Sequence, residues 1–293
     1  MPVNTRNLRF RSNRVADILS LYHTELDPLY GPHEVTAMAE LLFEGLLGWS
    51  RTRLLASRQD TIDQSDLLRL HWALEDLLRW RPVQHIVGHT DFCGCHIEVS
   101  PDVLTPRPET AQMVQSLATA TPHPTRVLDL CTGSGCIAIA LKRAWPDAEV
   151  TALDISTAAL AVARRNAEAN QASVEFMHAD LLDDSLRLPM GAFDLIVANP
   201  PYVLRKEQAA MRRNVLDYEP HEALFVPDND PLLFYQAIAR QASIALSPDG
   251  LLAVEVNENQ AQATASLLAK AGLHPELHTD FRDNPRWITA TSR

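Results

Sequence analysis

The chain has no apolar run approaching the ~18 residues that cross a bilayer, which excludes a membrane-spanning protein. Cysteine is scarce: four in 293 residues, as Cys93, Cys95, Cys131 and Cys136, two close pairs rather than the framework of a secreted disulfide scaffold. They read as reduced thiols of a cytoplasmic protein. Cys93-Gly-Cys95-His96 holds half the ligands of a tetrahedral metal site, but no second Cys/His pair stands at ligand spacing, so no metal is expected. Positive charge is also short. Twenty-six Lys+Arg against 37 Asp+Glu give a formal charge of -11, a field that repels a nucleic acid backbone unless basic residues are gathered locally. They are gathered only at the start, where Arg6, Arg9, Arg11 and Arg14 precede the first acid, Asp17. That segment has the charge of a transit peptide without the apolar core of a secretory signal, and it reads as a solvated arm. No membrane and no direct nucleic acid partner are expected, and a monomer is.

What is present is an ordinary globular composition, 46% hydrophobic and 22% charged, long enough for about two domains of ~150 residues. From Val15 to about Arg81 the spacing is helical. Val15, Ile18, Leu19 and Tyr22 share a face, Val35, Met38, Leu42 and Leu46 continue it, and Leu67, Leu70, Leu74, Leu77 and Leu78 form a stripe after a cap at Asp63 or Ser65. Residues 1–85 are therefore expected to form a helical bundle that meets a partner and does no chemistry. Residues 86–105 carry Val87, Phe92, Ile97 and Val99 before a Ser100-Pro-Asp102 turn and read as a hairpin linker. Residues 106–293 then alternate strand and helix: Arg126–Leu130, a helix from Cys136, Glu149–Asp154, Thr157–Asn170, Val174–His178 and Asp194–Ala198. A helix over Pro231–Leu246, a Ser247-Pro-Asp-Gly250 turn, a strand Leu251–Val256, a helix Gln260–Ala271 and strands near Leu277 and Ile288 complete the chain. This is α/β, a parallel sheet covered by helices, with an antiparallel edge where the last two strands follow one another directly.

The chemistry gathers at carboxyl ends of strands, where open α/β sheets bind ligands. After the first comes Asp129-Leu-Cys131-Thr132-Gly133-Ser134-Gly135-Cys136, whose glycines let backbone approach a ligand ahead of a helix N-terminus. The three-glycine spacing of the dinucleotide fingerprint is absent. Asp154 ends the second strand, placed to accept both hydroxyls of a ribose. Ser156 is available to cap the next helix, which makes a capping role for Asp154 redundant. Asp180 follows the third strand, as a turn residue or as the acceptor for an exocyclic adenine amine. Asn199-Pro200-Pro201-Tyr202 ends the fourth. Its prolines take the chain rigidly out of the sheet and leave the Asn199 side chain and the Pro200 carbonyl as two acceptors for one planar NH2 group, with the Tyr202 ring to lie against it.

With these residues the sequence resembles the S-adenosylmethionine-dependent methyltransferases of Rossmann-like fold whose Asn-Pro-Pro-Tyr motif methylates nitrogens conjugated to π systems. Three further segments, Pro106-Arg107-Pro-Glu-Thr110, Asp217-Tyr-Glu219-Pro220 and Asp280-Phe-Arg-Asp-Asn-Pro-Arg286, are similar to the HemK/PrmC family of release-factor glutamine N5-methyltransferases, and the likeness spans nearly the whole chain. The resemblance implies a seven-stranded methyltransferase sheet with an antiparallel last strand, joined to an N-terminal helical bundle. It also implies S-adenosylmethionine as cofactor and the Gly-Gly-Gln glutamine of class 1 release factors as substrate. Carried over residue by residue, it puts Cys131, Thr132, Gly133, Ser134, Gly135, Asp154, Asp180, Leu181 and Asn199 at the cofactor. Asn199 and Pro200 stand at the catalytic positions, and Pro201 and Tyr202 beside the substrate. Cys131 replaces the family's usual first glycine. The same stretch with Phe92-Cys-Gly94 resembles a sister branch that methylates a glutamine of a large-subunit ribosomal protein, whereas Pro106–Thr110 favours the release-factor branch. An adenine-N6 nucleic acid methyltransferase would use the same acceptors. Arg107 admits a rigid helix entrance or a role in closing over the cofactor, and Glu219 a surface loop or a position facing substrate.

Overall fold

The computed structural model describes residues 9, 10, 12–120 and 122–292. Two compact units divide them: one ends at Gly88 and takes in Arg213–Tyr218, the other comprises His89–Arg212 and Glu219–Arg293.

The first unit is built from α1 (Val15–Tyr30), α2 (Pro32–Leu47), α3 (Arg51–Ala56), α4 (Gln64–Leu78) and α5 (Val83–Val87). The three- and four-residue spacing of α1 buries Val15, Ile18, Tyr22, Leu26 and Tyr30 on one face. The two tyrosine hydroxyls donate to the Leu70 and Leu77 carbonyls at 2.7 Å. Pro32 begins α2 and Asp63, not Ser65, caps α4, accepting from the Asp66 amide at 2.8 Å. At Gly45 a side chain would overlap Val87, so glycine permits the approach of α2 and α5. The basic arm is not simply solvated: Arg9 pairs with Glu25 at 2.7 Å and Glu75 at 2.6 Å, while Arg6 and Arg11 lie outside the described residues. Residues 213–218, which carry α9 (Arg213–Leu216), also belong here, with the Tyr218 hydroxyl donating to the Arg79 carbonyl at 2.9 Å.

The second unit opens on the hairpin β1 (His89–Phe92) and β2 (Cys95–Glu98), paired antiparallel. It is no free linker. Phe92, Cys95 and Ile97 enter the apolar core, and two asparagines bond its main chain. Asn166 accepts from the Glu98 amide at 2.7 Å and donates to the Glu98 carbonyl at 3.1 Å. Asn170 does the same at His96, at 3.0 and 2.7 Å. There follow α6 (Pro108–Ala120), β3 (Arg126–Leu130), α7 (Cys136–Ala144), β4 (Glu149–Asp154), α8 (Thr157–Ala169), β5 (Val174–His178) and β6 (Phe193–Ala198). A short parallel pair, β7 (Val203–Leu204) with β8 (Phe225–Val226), precedes α10 (Leu233–Ala245), β9 (Leu246–Glu255), α11 (Ala261–Lys270), β10 (His274–Thr279) and β11 (Pro285–Thr291).

Seven strands form one sheet in the order β10-β11-β9-β6-β3-β4-β5. The order reverses at β3, whose neighbours β4 and β6 are both parallel to it, and that crevice is where such a sheet leaves room for a ligand. The strands around it read Val127, Leu128, Leu130 and Leu195, Ile196, Val197, fully buried on both faces as parallel strands between helix layers are. The last strand is antiparallel as expected, but it is not the edge. β11 inserts between β9 and β10, so the edge strand β10 runs parallel to β9. The Ser247–Gly250 segment is not a turn before the strand but a bulge within it: β6 pairs Phe193 with Leu246 and then Leu195 with Leu251.

Candidate active site

The crevice holds a cavity of about 230 Å³, walled by the loop after β3, the ends of β4 and β6, and the Pro106–Arg107 segment. The loop is tight. Cys131, Gly133 and Gly135 all have positive φ, 60°, 54° and 80°. At Gly133 no described atom beyond the adjoining residues lies within 4 Å of where a side chain would start, so its backbone stands open to a ligand. Gly135 serves a different end: it precedes α7, and a Cβ there would press on Ala163 at 3.0 Å, so its bareness seats the loop on α8. Cys131 bears the left-handed conformation without glycine's freedom, a strain of about 1 kcal/mol or more. Burial, with the charges of Asp154, Asp129 and Asp180, pushes its thiol well above the usual range and keeps it neutral.

Asp129, wholly buried beneath the loop, fixes it. One carboxylate oxygen accepts from the Thr132 hydroxyl at 2.6 Å and the Ala138 amide at 3.2 Å, while Oδ1 has no partner among the described residues. Burial pushes this carboxyl up to about 7. The folded chain thus holds the proton to higher pH than the unfolded chain, where the group titrates near ~3.9. The cost of ionising it sets in as pH rises from ~4 and is complete above about 7. Stability falls over that window by up to ~4 kcal/mol. Asp129→Asn should flatten the fall, read as urea midpoints at about pH 5 and about pH 8 for both proteins.

Asp154 is half-buried at the end of β4 and accepts from two backbone amides, Gly133 at 2.8 Å and Ser156 at 2.9 Å, one on each oxygen. Ser156 caps α8 through the Ala159 amide at 3.2 Å, as its position suggests. With one amide on each oxygen, both oxygens keep acceptor capacity, and Asp154 lines the cavity, the donor-acceptor complement of a vicinal diol. Desolvation raises its carboxyl, against the bonds from Ser156 and Gly133. Asp180 accepts from the Leu182 amide at 2.8 Å, a turn residue by geometry, yet it and the buried Leu181 both line the cavity.

Beyond β6 the two prolines are buried and Asn199 lines the cavity. Its Nδ2 donates to the Thr110 hydroxyl at 3.2 Å. That hydroxyl donates to Glu255 Oε2 at 2.6 Å, and the Tyr202 hydroxyl donates to Oε1 at 3.0 Å. Tyr202 is tied by its oxygen, and of the tetrapeptide Asn199 and Pro201 line the cavity. Among the described residues no hydrogen bond reaches the Pro200 carbonyl or Asn199 Oδ1. Burial raises the Glu255 carboxyl, opposed by Thr110, Tyr202 and the nearby Arg286, which is paired to Asp280 at 3.1 Å.

Arg107 and Glu219 turn out to be partners. Nη2 donates to both oxygens of the buried Glu219 at 2.8 and 2.7 Å, tying the segment before α6 to the loop whose Pro220, Glu222 and Ala223 also face the cavity. Glu255 escaped the sequence reading, although an acid ending an otherwise apolar strand, Leu252-Ala-Val-Glu255, was a signal. No described helix is long and apolar enough to cross a membrane.

Comparison with known proteins places this geometry among relatives. Residues 108–217 match the family described as methyltransferase small domain, and residues 30–88 the PrmC N-terminal domain. A release factor glutamine methyltransferase of Bacteroides thetaiotaomicron is 40% identical over 84% of this chain and 88% of its own length. One of Flavobacterium psychrophilum is 36% identical over 92% of this chain and 95% of its own. Among solved structures, a methyltransferase from Pyrococcus furiosus shares the fold, at 19% identity and a TM-score of 0.50 over 68% of this chain and 89% of that one.

Proposed function

The chain belongs to the release factor glutamine methyltransferase family, and on that premise we infer that it methylates the side-chain nitrogen of the glutamine in the Gly-Gly-Gln motif of class 1 release factors. The cosubstrate in this reading is S-adenosylmethionine, which when bound supplies an electrophilic methyl on a sulfonium. The cavity suits it. Asp154 has acceptor capacity for the ribose hydroxyls, Asp180 and Leu181 line the same cavity and would receive the adenine amine, and Gly133, with Cys131, Thr132 and Ser134 beside it, leaves backbone open to the rest of the ligand. Two acids lining the cavity, Asp154 and Asp180, favour a sulfonium cation.

The observation that carries the reading is the state of Asn199: its amide nitrogen is committed to Thr110, so its oxygen is what it offers to a substrate. An amide nitrogen is a weak nucleophile because its lone pair is delocalised, so it must be held rather than merely approached. Asn199 Oδ1 and the Pro200 carbonyl accept its two N–H groups, aim the lone pair, and stabilise the positive charge that develops on nitrogen. The proton leaves after the bond forms, to water. A glutamate would face two acceptors with nothing to donate and is rejected. The enzyme acts in this reading as a cytoplasmic monomer on a protein, without direct nucleic acid contact, as its charge of -11 supports.

Tritium transfer from labelled S-adenosylmethionine to release factor, to the factor with that glutamine changed to alanine, to large-subunit ribosomal protein and to DNA tests the substrate. Label on the wild-type factor alone is expected. Label on ribosomal protein or DNA instead would overturn the choice of substrate while leaving the Asn199 chemistry.

A further inference from the structure

We propose that Thr110 and Glu255 are positioning residues that fix which atom of the Asn199 amide faces the substrate, and so set the preference for an amide over a carboxylate. The inference rests on the reading above. An asparagine amide has two nearly isosteric ends, one an acceptor and one a donor, and packing alone does not distinguish them. Asn199 Oδ1 serves the reaction only if the donor end is held away. The hydrogen-bond directions supply that hold. Both hydroxyls facing Glu255 donate to it, Thr110 at 2.6 Å and Tyr202 at 3.0 Å, and with the Arg286 charge nearby they hold it as a carboxylate, which accepts and does not donate. With its only proton so used, Thr110 has nothing but lone pairs left for Asn199, 3.2 Å away, and only Nδ2 can face it. A rotated amide would set Oδ1 against those lone pairs and turn NH2 toward the substrate nitrogen.

All three groups sit on separate elements, α6, the end of β6 and the end of β9, and Thr110 and Glu255 are both buried. Thr110 is not replaceable by a group of the same shape. Valine fills the space and offers Asn199 no acceptor, while serine keeps the hydroxyl. Glutamine at 255 replaces one acceptor by a donor. Its NH2 either bonds to Thr110, which frees that hydroxyl to donate to Asn199 Oδ1, or meets the Tyr202 proton.

The test compares wild type, Thr110→Val, Thr110→Ser and Glu255→Gln for transfer to release factor, for S-adenosylmethionine affinity by calorimetry, and for inhibition by a factor carrying glutamate in place of the glutamine. Thr110→Val and Glu255→Gln should each lower kcat at least ~30-fold with cofactor affinity within about threefold, and Thr110→Ser should restore most of the rate. The altered amide should also let the glutamate factor inhibit at least ~5-fold more tightly relative to the glutamine factor, a change that loosened packing would not produce. Unchanged kcat in both variants, or a loss of rate matched by equal loss of cofactor affinity with unaltered discrimination, overturns the relay. Absence of transfer by the wild type overturns the proposed function instead. If Thr110→Val fails to fold, as its melting curve would reveal, the isosteric Glu255→Gln decides alone.

Discussion

Asn199→Ala should abolish methyl transfer, lowering kcat by at least ~10²–10³-fold, while S-adenosylmethionine affinity changes by less than about threefold. The size follows from what the side chain is asked to do. One of the two acceptors proposed to orient the substrate amide disappears, and the charge that forms on nitrogen loses a fixed dipole. The cofactor loses little, because the proposed ribose contacts fall to Asp154 on a different strand. Equal loss of transfer and of cofactor affinity would instead make Asn199 a cofactor residue. Asn199→Asp is the sharper variant: its carboxylate offers no N–H to Thr110, whose own proton is already given to Glu255.

Asp154→Ala should do the reverse. Losing charge-assisted bonds to two hydroxyls costs ~1.5–3 kcal/mol, a Kd for S-adenosylmethionine raised about 10- to 150-fold, with transfer recovered at saturating cofactor. The same carboxylate accepts from the Gly133 and Ser156 amides, so the variant also releases the loop after β3. Asp154→Asn separates the two effects. One amide end still accepts while the other offers hydrogens to a backbone N–H, so its cofactor affinity falls between wild type and alanine. Calorimetry giving an unchanged Kd for Asp154→Ala would confine the residue to holding the loop.

How much of this could be read from the chain differs by interaction range. The loop after β3, Asp154, Asp180 and the Asn199–Tyr202 tetrapeptide were legible because each lies within a few residues of the strand end that presents it, and strands announce themselves by apolar runs such as Val127–Leu130. The roles of Thr110, Glu255, Arg107 and Glu219 were not. Thr110 stands 145 residues from its acid and Arg107 stands 112 from its own. Such partners are chosen by strand order, which local pattern does not encode. The strand order hid in the same way: hydropathy marks β10 and β11 as strands, but β11 becomes an inner strand through pairing with both β9 and β10. Gly135 was read as a ligand contact because a glycine in a turn looks alike whichever side it bares. The structure shows that its bare side faces Ala163. The Ser247–Gly250 segment has turn composition and bends the chain, yet its flanks stay paired to β6, so it bulges from a strand instead of starting one.

The measurement that bears most directly on the central claim is tandem mass spectrometry of release factor incubated with the purified enzyme and S-adenosylmethionine. One added methyl group is expected, on the Gly-Gly-Gln glutamine side chain, present with wild type and absent with Asn199→Ala. An unmodified glutamine, or a methyl group found on any other residue, would contradict it.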